Sequence, residues 1–330
     1  MTEAAMNSWS KAVEVINKAR SISIFTHYDA DGDALGSAFA LAIELKRLGK
    51  ETCVFLDEEM QKKLVFLSSK GIDTVVYEVG METRRFDLSI AVDSGDMKRL
   101  GKRAELFKSA AVTMKIDHHI SKDDFGDYNF VDTKWAATCV AIWELLTELV
   151  GEISDEAAIR IYTGIYTDTG GFKHSNTDER VHLITAKILS KLGDLSYISR
   201  IFQEKSKGMI KLYNIAVSKM EFFFNERVVY AYLAKEDFEK AGAIMEDSEG
   251  LATYLREIEG VDTSVFIRQG DKEDELKASL RSNEIVDVAE IAASFNGGGH
   301  KRAAGFTYYG DEQSMKKMLL ERLGRTLNDT

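Results

Sequence analysis

The chain has 330 residues, 45% hydrophobic and 29% charged, with a net charge of -11 from 54 acidic and 43 basic residues. That length allows two domains, each able to bury its own core. The acidic balance excludes non-specific binding of duplex DNA, which needs a broad basic surface. A small phosphorylated substrate remains compatible, because bound metal ions can supply local positive charge. Only two cysteines occur, Cys53 and Cys139, without the pairing of a zinc knuckle or disulfide framework. No apolar run approaches the ~18 residues of a membrane span, and the first residues carry no apolar signal core, so the expectation is a cytoplasmic protein without membrane contact. Proline is absent altogether, where average usage would give roughly 16. Chance explains this poorly, and removal of proline from a natural parent is the expectation.

In chain order, a short amphipathic helix from near Ser8 places Trp9, Ala12, Val13 and Ile16 on one face. The apolar run 22–26 reads as a buried strand, followed by the polar loop 27–33 and a helix over 34–48 closed by Gly49. Further strands are expected at 52–56, 74–79, 87–92 and 111–116, with helical stretches between them. The N-terminal half therefore reads as α/β with a parallel sheet. Residues 136–192 are helical in three pieces, broken at Gly151 and at Gly170-Gly171. A long helical connector runs over 196–224. Beyond it the pattern is α+β, with strands at 228–233, 264–267 and 276–281 and helices near 250–258 and 285–295. The predicted division is 1–192 as a catalytic domain, 193–226 as a helical linker and 227–330 as a smaller substrate-binding domain.

Three predicted strands end in metal-ligand residue types. The first leads to His27, Asp31 and Asp33, the second to Asp93, and the third to Asp117-His118-His119. Ligands in open α/β sheets sit beyond the carboxyl ends of strands, so these side chains should share one crevice. Clustered carboxylates and imidazoles repel or titrate badly unless divalent cations neutralise them. Mixed Asp/His donors suit manganese better than thiol-seeking metals. Taken singly, an Asp-x-Asp is usually a solvated loop, and no terminal Glu completes a calcium-binding loop here. The joint placement at three strand ends carries the metal-site reading. Further on, Gly297-Gly298-Gly299 allows close backbone approach to a ligand, with His300 and Arg302 beside it.

The set His27-x-x-x-Asp31-x-Asp33, Asp93, Asp117-His118-His119 and Asp168, with Gly297-Gly298-Gly299-His300-Lys301-Arg302-Ala303-Ala304-Gly305 near the C-terminus, resembles the DHH phosphoesterases with their DHH-associated substrate domain. The order and length are similar to the branch of oligoribonucleases that also act on 3'-phosphoadenosine-5'-phosphate. The resemblance implies two manganese ions, one held by His27, Asp31 and Asp93 and the other by Asp33, Asp93, His118 and Asp168, with Asp93 bridging. It implies that His119 faces the scissile phosphate as a catalytic residue. Arg281, Gly298, Gly299, His300 and Arg302 would contact substrate. Ala30 stands where many relatives carry proline.

The implied activity is hydrolysis of short oligoribonucleotides to mononucleotides and removal of the 3'-phosphate of 3'-phosphoadenosine-5'-phosphate, in a cleft between two domains. The rival enzyme reading is a cyclic or linear dinucleotide phosphodiesterase. A rival of another class is a non-catalytic nucleotide sensor, which has no reason to retain all six ligand types. The Ser-Arg-Lys-Lys-Gln signature of a manganese pyrophosphatase is absent. A homodimer is compatible with this reading.

Overall fold

The computed structural model describes residues 3–120 and 123–328. The chain forms two compact units, Met1–Gln203 and Glu204–Thr330.

In the first unit the elements are α1 (Glu3–Lys18), β1 (Ser21–Phe25), α2 (Gly32–Arg47), β2 (Glu51–Leu56), β3 (Asp73–Val76), β4 (Leu88–Val92), α3 (Ala104–Lys108), β5 (Val112–Asp117), β6 (Tyr128–Val131), α4 (Thr138–Val150), α5 (Asp155–Asp168), α6 (Glu179–Leu192) and α7 (Ser196–Gln203). The six strands pair in parallel in the order β3-β2-β1-β4-β5-β6. Strands covered on both faces read as near-continuous apolar runs, and alternate residues here serve two cores. Ile22, Ile24, Ile90 and Val92 join the core made with the long helices. Phe25, Phe55 and Ala91 join a second core with Leu106 and Phe107 of α3. The chain builds outward from β1 in one direction through β2 and β3, and from β4 in the other through β5 and β6. The switch point, where an open α/β sheet parts to receive ligands, therefore lies between the ends of β1 and β4.

The expected parallel sheet is present, with corrections. Only α2 is a long helix between the first five strands. The other connections are short 3-10 segments, Lys62–Leu67, Met81–Thr83 and Met97–Arg103, joined in the last case by α3. β6 was not expected, because Phe130 is its only deeply buried residue and the segment lacks a strand's alternation.

The second unit contains α8 (Lys207–Ser218), β7 (Glu221–Phe223), β8 (Val228–Leu233), α9 (Lys235–Ala241), α10 (Leu251–Arg256), β9 (Thr263–Gln269), β10 (Glu275–Ser282), α11 (Val288–Ala293), β11 (Gly298–His300), β12 (Ala303–Tyr309) and α12 (Glu312–Asn328). Its sheet has the order β11-β12-β10-β9-β8-β7, antiparallel except for the β8–β9 pair. One face packs Val265, Ile267, Ala278 and Leu280 against α11 and α12. The other packs Val229, Ala231 and Phe266 against α8, α9 and α10. The expected connector helix over 196–224 is instead two helices, α7 and α8, interrupted at 204–206 and followed by β7. Among the described residues no helix is long and apolar enough to cross a membrane.

Candidate metal centre

Each polar strand end is held in place by local structure. After β1, His27 is buried and its Nδ1 lies 2.6 Å from the backbone oxygen of Tyr28, which leaves Nε2 to face Asp93 at 3.5 Å and Asp31 at 3.9 Å. Asp31 caps α2, its side chain accepting from the amides of Asp33 and Ala34, a stabilising position for a carboxylate at the positive end of a helix. The loop between them is tied down by the Tyr28 amide, which donates to the backbone oxygen of Arg99 at 2.8 Å. Ala30 is half-buried in it.

Asp93 ends β4 with φ +55°, a left-handed conformation uncommon for a residue with a side chain and often found where a site fixes an unusual direction. Its carboxylate is 2% exposed and meets three imidazoles, His27 at 3.5 Å, His118 at 3.5 Å and His119 at 3.6 Å. Asp168 closes α5, where the helix dipole disfavours a negative charge, and reaches His118 at 3.3 Å. Asn176 and His174 hold the backbone oxygen of Asp168 from the following turn.

Three residues missed by sequence reasoning complete the arrangement. α4 begins at Thr138 without a side-chain cap from Ala137, and Asp33, 105 positions earlier, supplies it. Its two carboxylate oxygens accept from the amides of Thr138 at 2.6 Å and Cys139 at 2.9 Å. The Thr138 hydroxyl donates to Asp93 at 2.9 Å. Lys115, fully buried in β5, donates to the backbone oxygens of Gly95 and Asp123 and pairs with Asp117 at 3.5 Å. Asp117 in turn holds Nδ1 of His119 at 2.8 Å. The signals were faint: a helix start lacking its own cap, and a lysine inside an apolar strand.

The electrostatics define a donor set that is frustrated without a cation. Burial, then the neighbouring charges of Asp33, Asp93 and Asp31, push Asp168 up to about 10. Burial and the charges of Asp93 and Asp31 raise Asp33 well above the carboxylate range, and burial with Asp93 raises Asp31. Burial also opposes ionisation of Asp93, but the hydrogen bond from His27 and the nearby imidazoles outweigh it and hold its pKa low. The bond to Asp117 raises His119. Carboxylates forced to share protons in this way are restored to the anionic form by divalent cations. Three groups bring their donor atoms within 4.8 Å of one another: His27, Asp31 and Asp93; Asp33, His118 and Asp168; and Asp93, His118 and His119. The residues present fit a metal centre with mixed oxygen and nitrogen donors.

In the second unit the residues expected to meet substrate lie on or beside the sheet. Gly298, Gly299 and His300 are exposed and form the edge strand β11, where an open loop was expected. A side chain at Gly299, whose φ is +143°, would strike the backbone of Ala303 and Ala304, so this position needs glycine to pair with β12. Arg302 donates to the backbone oxygen of Val286 at 3.1 Å. Arg281, on β10, donates to that of Leu280 at 2.9 Å.

A parallel sheet whose switch point gathers this carboxylate and imidazole cluster defines an α/β protein with a candidate centre for divalent metal. The pattern described as DHH family, N-terminal domain, matches residues 21–165, and the DHHA1 domain matches residues 225–329. The chain is 34% identical over 290 residues to the bifunctional oligoribonuclease and PAP phosphatase NrnA of Thermus thermophilus, covering 88% of this chain and 84% of the relative. It is 28% identical over 303 residues to NrnA of Bacillus subtilis, covering 91% and 93%. The crystal structure of an exopolyphosphatase-related protein from Bacteroides fragilis superimposes with a TM-score of 0.89 at 27% identity, over 99% of this chain and 100% of that one. The chain belongs to the DHH family of phosphoesterases.

Proposed function

We propose that this phosphoesterase uses manganese to hydrolyse oligoribonucleotides of a few residues to mononucleotides and to remove the 3'-phosphate of 3'-phosphoadenosine-5'-phosphate. The observation that carries the reading is the cluster at the switch point, supported by the two relatives named for both activities. His27, Asp31 and Asp93 would hold one ion, and Asp33, Asp93, His118 and Asp168 a second, with Asp93 common to both. Bound divalent ions supply Lewis acidity toward phosphoryl oxygens and lower the pKa of water.

The chain's own residues supply the rest. Asp117 accepts from Nδ1 of His119 and favours its protonated form, in which Nε2 also carries a proton that it can donate to a phosphate oxygen as charge develops. Lys115 lies 3.5 Å from Asp117 on its other side. His119 is about half-exposed, as a residue meeting substrate must be, whereas Asp93 is sealed. Hydrolysis belongs to the first unit. The second supplies substrate contacts through Arg281, Gly298, Gly299, His300 and Arg302. The test is a manganese-supplemented screen of a diribonucleotide, 3'-phosphoadenosine-5'-phosphate, a cyclic dinucleotide and pyrophosphate. Preferred turnover of the first two is expected. Turnover confined to pyrophosphate or to the cyclic dinucleotide would overturn the assignment.

A further inference from the structure

Lysine is almost never fully buried unless its charge is matched, yet Lys115 stands inside β5 with no exposed surface. It shares a face of the strand with Thr113 and Asp117, and the register sets it beside the small Ala91 of β4. Methionine, of similar length, would pack there without the cost of desolvating an ammonium. The partners of the ammonium therefore account for its place. It donates to the backbone oxygen of Gly95 at 2.8 Å and to that of Asp123 at 3.1 Å. It also stands over the Phe125 ring at 5.1 Å and faces Asp117 at 3.5 Å. Gly95 lies two residues after Asp93, and Asp123 four residues after His119. One side chain thus ties the loop leaving β4 to the loop leaving β5. A second tie runs beside it, from the amide of Met97 to the Asp123 carboxylate at 2.9 Å.

The bland reading is a lysine that only satisfies loop carbonyls. Two observations weigh against it. The far end of the β5 loop is fastened without Lys115, because the amide and hydroxyl of Thr113 meet Asp127 at 2.8 and 2.9 Å. The contact with Lys115 therefore acts on the stretch nearer His119. Asp93 also has anchors of its own, since its amide donates to the backbone oxygen of Ile116 at 3.0 Å and its carboxylate accepts from Thr138. His119 is held instead through one oxygen of Asp117 at 2.8 Å. The other oxygen of Asp117 is buried without a hydrogen-bond partner, and the Lys115 ammonium faces it.

We propose that Lys115 is a positioning residue for the phosphate-facing histidine. By holding Gly95, Asp123 and Asp117 together it fixes His119 relative to Asp93, and it acts on turnover rather than on metal affinity. The proposal rests on the assignment of His119 to the phosphate made above. Its test is a double-mutant cycle on the full chain with a diribonucleotide as substrate, comparing Lys115→Met, His119→Ala and the pair. Manganese binding and thermal melts are measured on each. A 1 Å misplacement can cost on the order of 10²-fold, so Lys115→Met should lower kcat about 10–100-fold, with KM and half-saturating manganese within about threefold of the parent. In the His119→Ala background the same substitution should cost less than about threefold, because the group it positions is gone. A merely structural lysine would lower both backgrounds alike. Lys115→Gln, which keeps an amide donor for the two carbonyls, should recover part of the loss. It carries the cycle if the methionine variant shows no cooperative melt. A kcat for the Lys115 variant within about twofold of the parent, an equal loss in the two backgrounds, or recovery with excess manganese overturns the proposal. Near-parental kcat in His119→Ala alone, or no turnover by the parent chain, would instead overturn the assignments on which the proposal rests.

Discussion

Thr138→Val tests whether α4 positions the Asp93 carboxylate proposed to bridge the two ions. Thr138 is fully buried, and its hydroxyl donates to an Asp93 oxygen that is itself almost sealed from water. Valine keeps the shape and removes the donor, so no water replaces it. A hydrogen bond to a charged group contributes about 1.5–3 kcal/mol net. For a unit of 203 residues, a loss near 2 kcal/mol corresponds to a drop of about 4–8 °C in melting temperature. The larger effect should fall on metal binding. Removing a group that orients a ligand typically weakens affinity by about 10–100-fold. The assay is a manganese titration of turnover and of binding, with thermal melts in EDTA. The expected result is half-saturation shifted at least tenfold toward higher manganese, with turnover mostly recovered at saturation. Unchanged manganese dependence would refute the idea that Thr138 orients Asp93.

The two adjacent histidines should fail differently. His118→Ala should weaken metal binding and recover in part with excess manganese, whereas His119→Ala should retain metal and lose about 10²–10⁴-fold in turnover without rescue. Rescue of the His119 variant alone would reverse the two roles. Gly164→Ala on α5 would put a methyl group 2.2 Å from the sulfur of Cys139 and 2.8 Å from Asp33. Both are fully buried, so about 1–3 kcal/mol of stability should be lost along with manganese affinity, and a variant with parental melting and titration curves would exclude that packing. Asp262 ties down the amides of Glu284, Ile285 and Val286, and although burial opposes it, these bonds lower its pKa. Its stabilisation is therefore present above the ordinary carboxylate pKa of ~3.9 and lost as pH falls through the lower folded value. Asp262→Asn should lower the second unit's melting temperature at pH 7, with the gap closing in strong acid. A gap that persists unchanged at low pH would rule out the charge as its cause.

The candidate metal-ligand residues, which the structure brings together, were legible because an apolar run ending in Asp or His is an unusual combination. Three such endings in one half of the chain converge only if the strands are parallel. The strand order was not legible, since it depends on short 3-10 connections that carry no helical periodicity. Thr138 and Lys115 escaped because each acts across a long sequence separation, through a contact that exists only once the sheet is assembled. α12 did carry a signal that was passed over. Its Met315, Leu319, Leu323 and Leu327 repeat every four residues and are all buried, the spacing of a helix stripe. β11 and the start of β12 were hidden by glycine and alanine, which have little strand propensity, whereas Phe306-Thr307-Tyr308-Tyr309 at the end of β12 carried a strand signal that was passed over.

The central claim is that the switch-point cluster is a manganese centre that cleaves short RNA. It is tested most directly by release of mononucleotide from a 5'-phosphorylated diribonucleotide as manganese is titrated, with the parent chain and Asp93→Ala side by side. The account predicts saturable, manganese-dependent release by the parent, and near-complete loss in the variant, whose melting profile still shows a folded chain. Release that is independent of manganese, or that survives in the Asp93 variant, would contradict it.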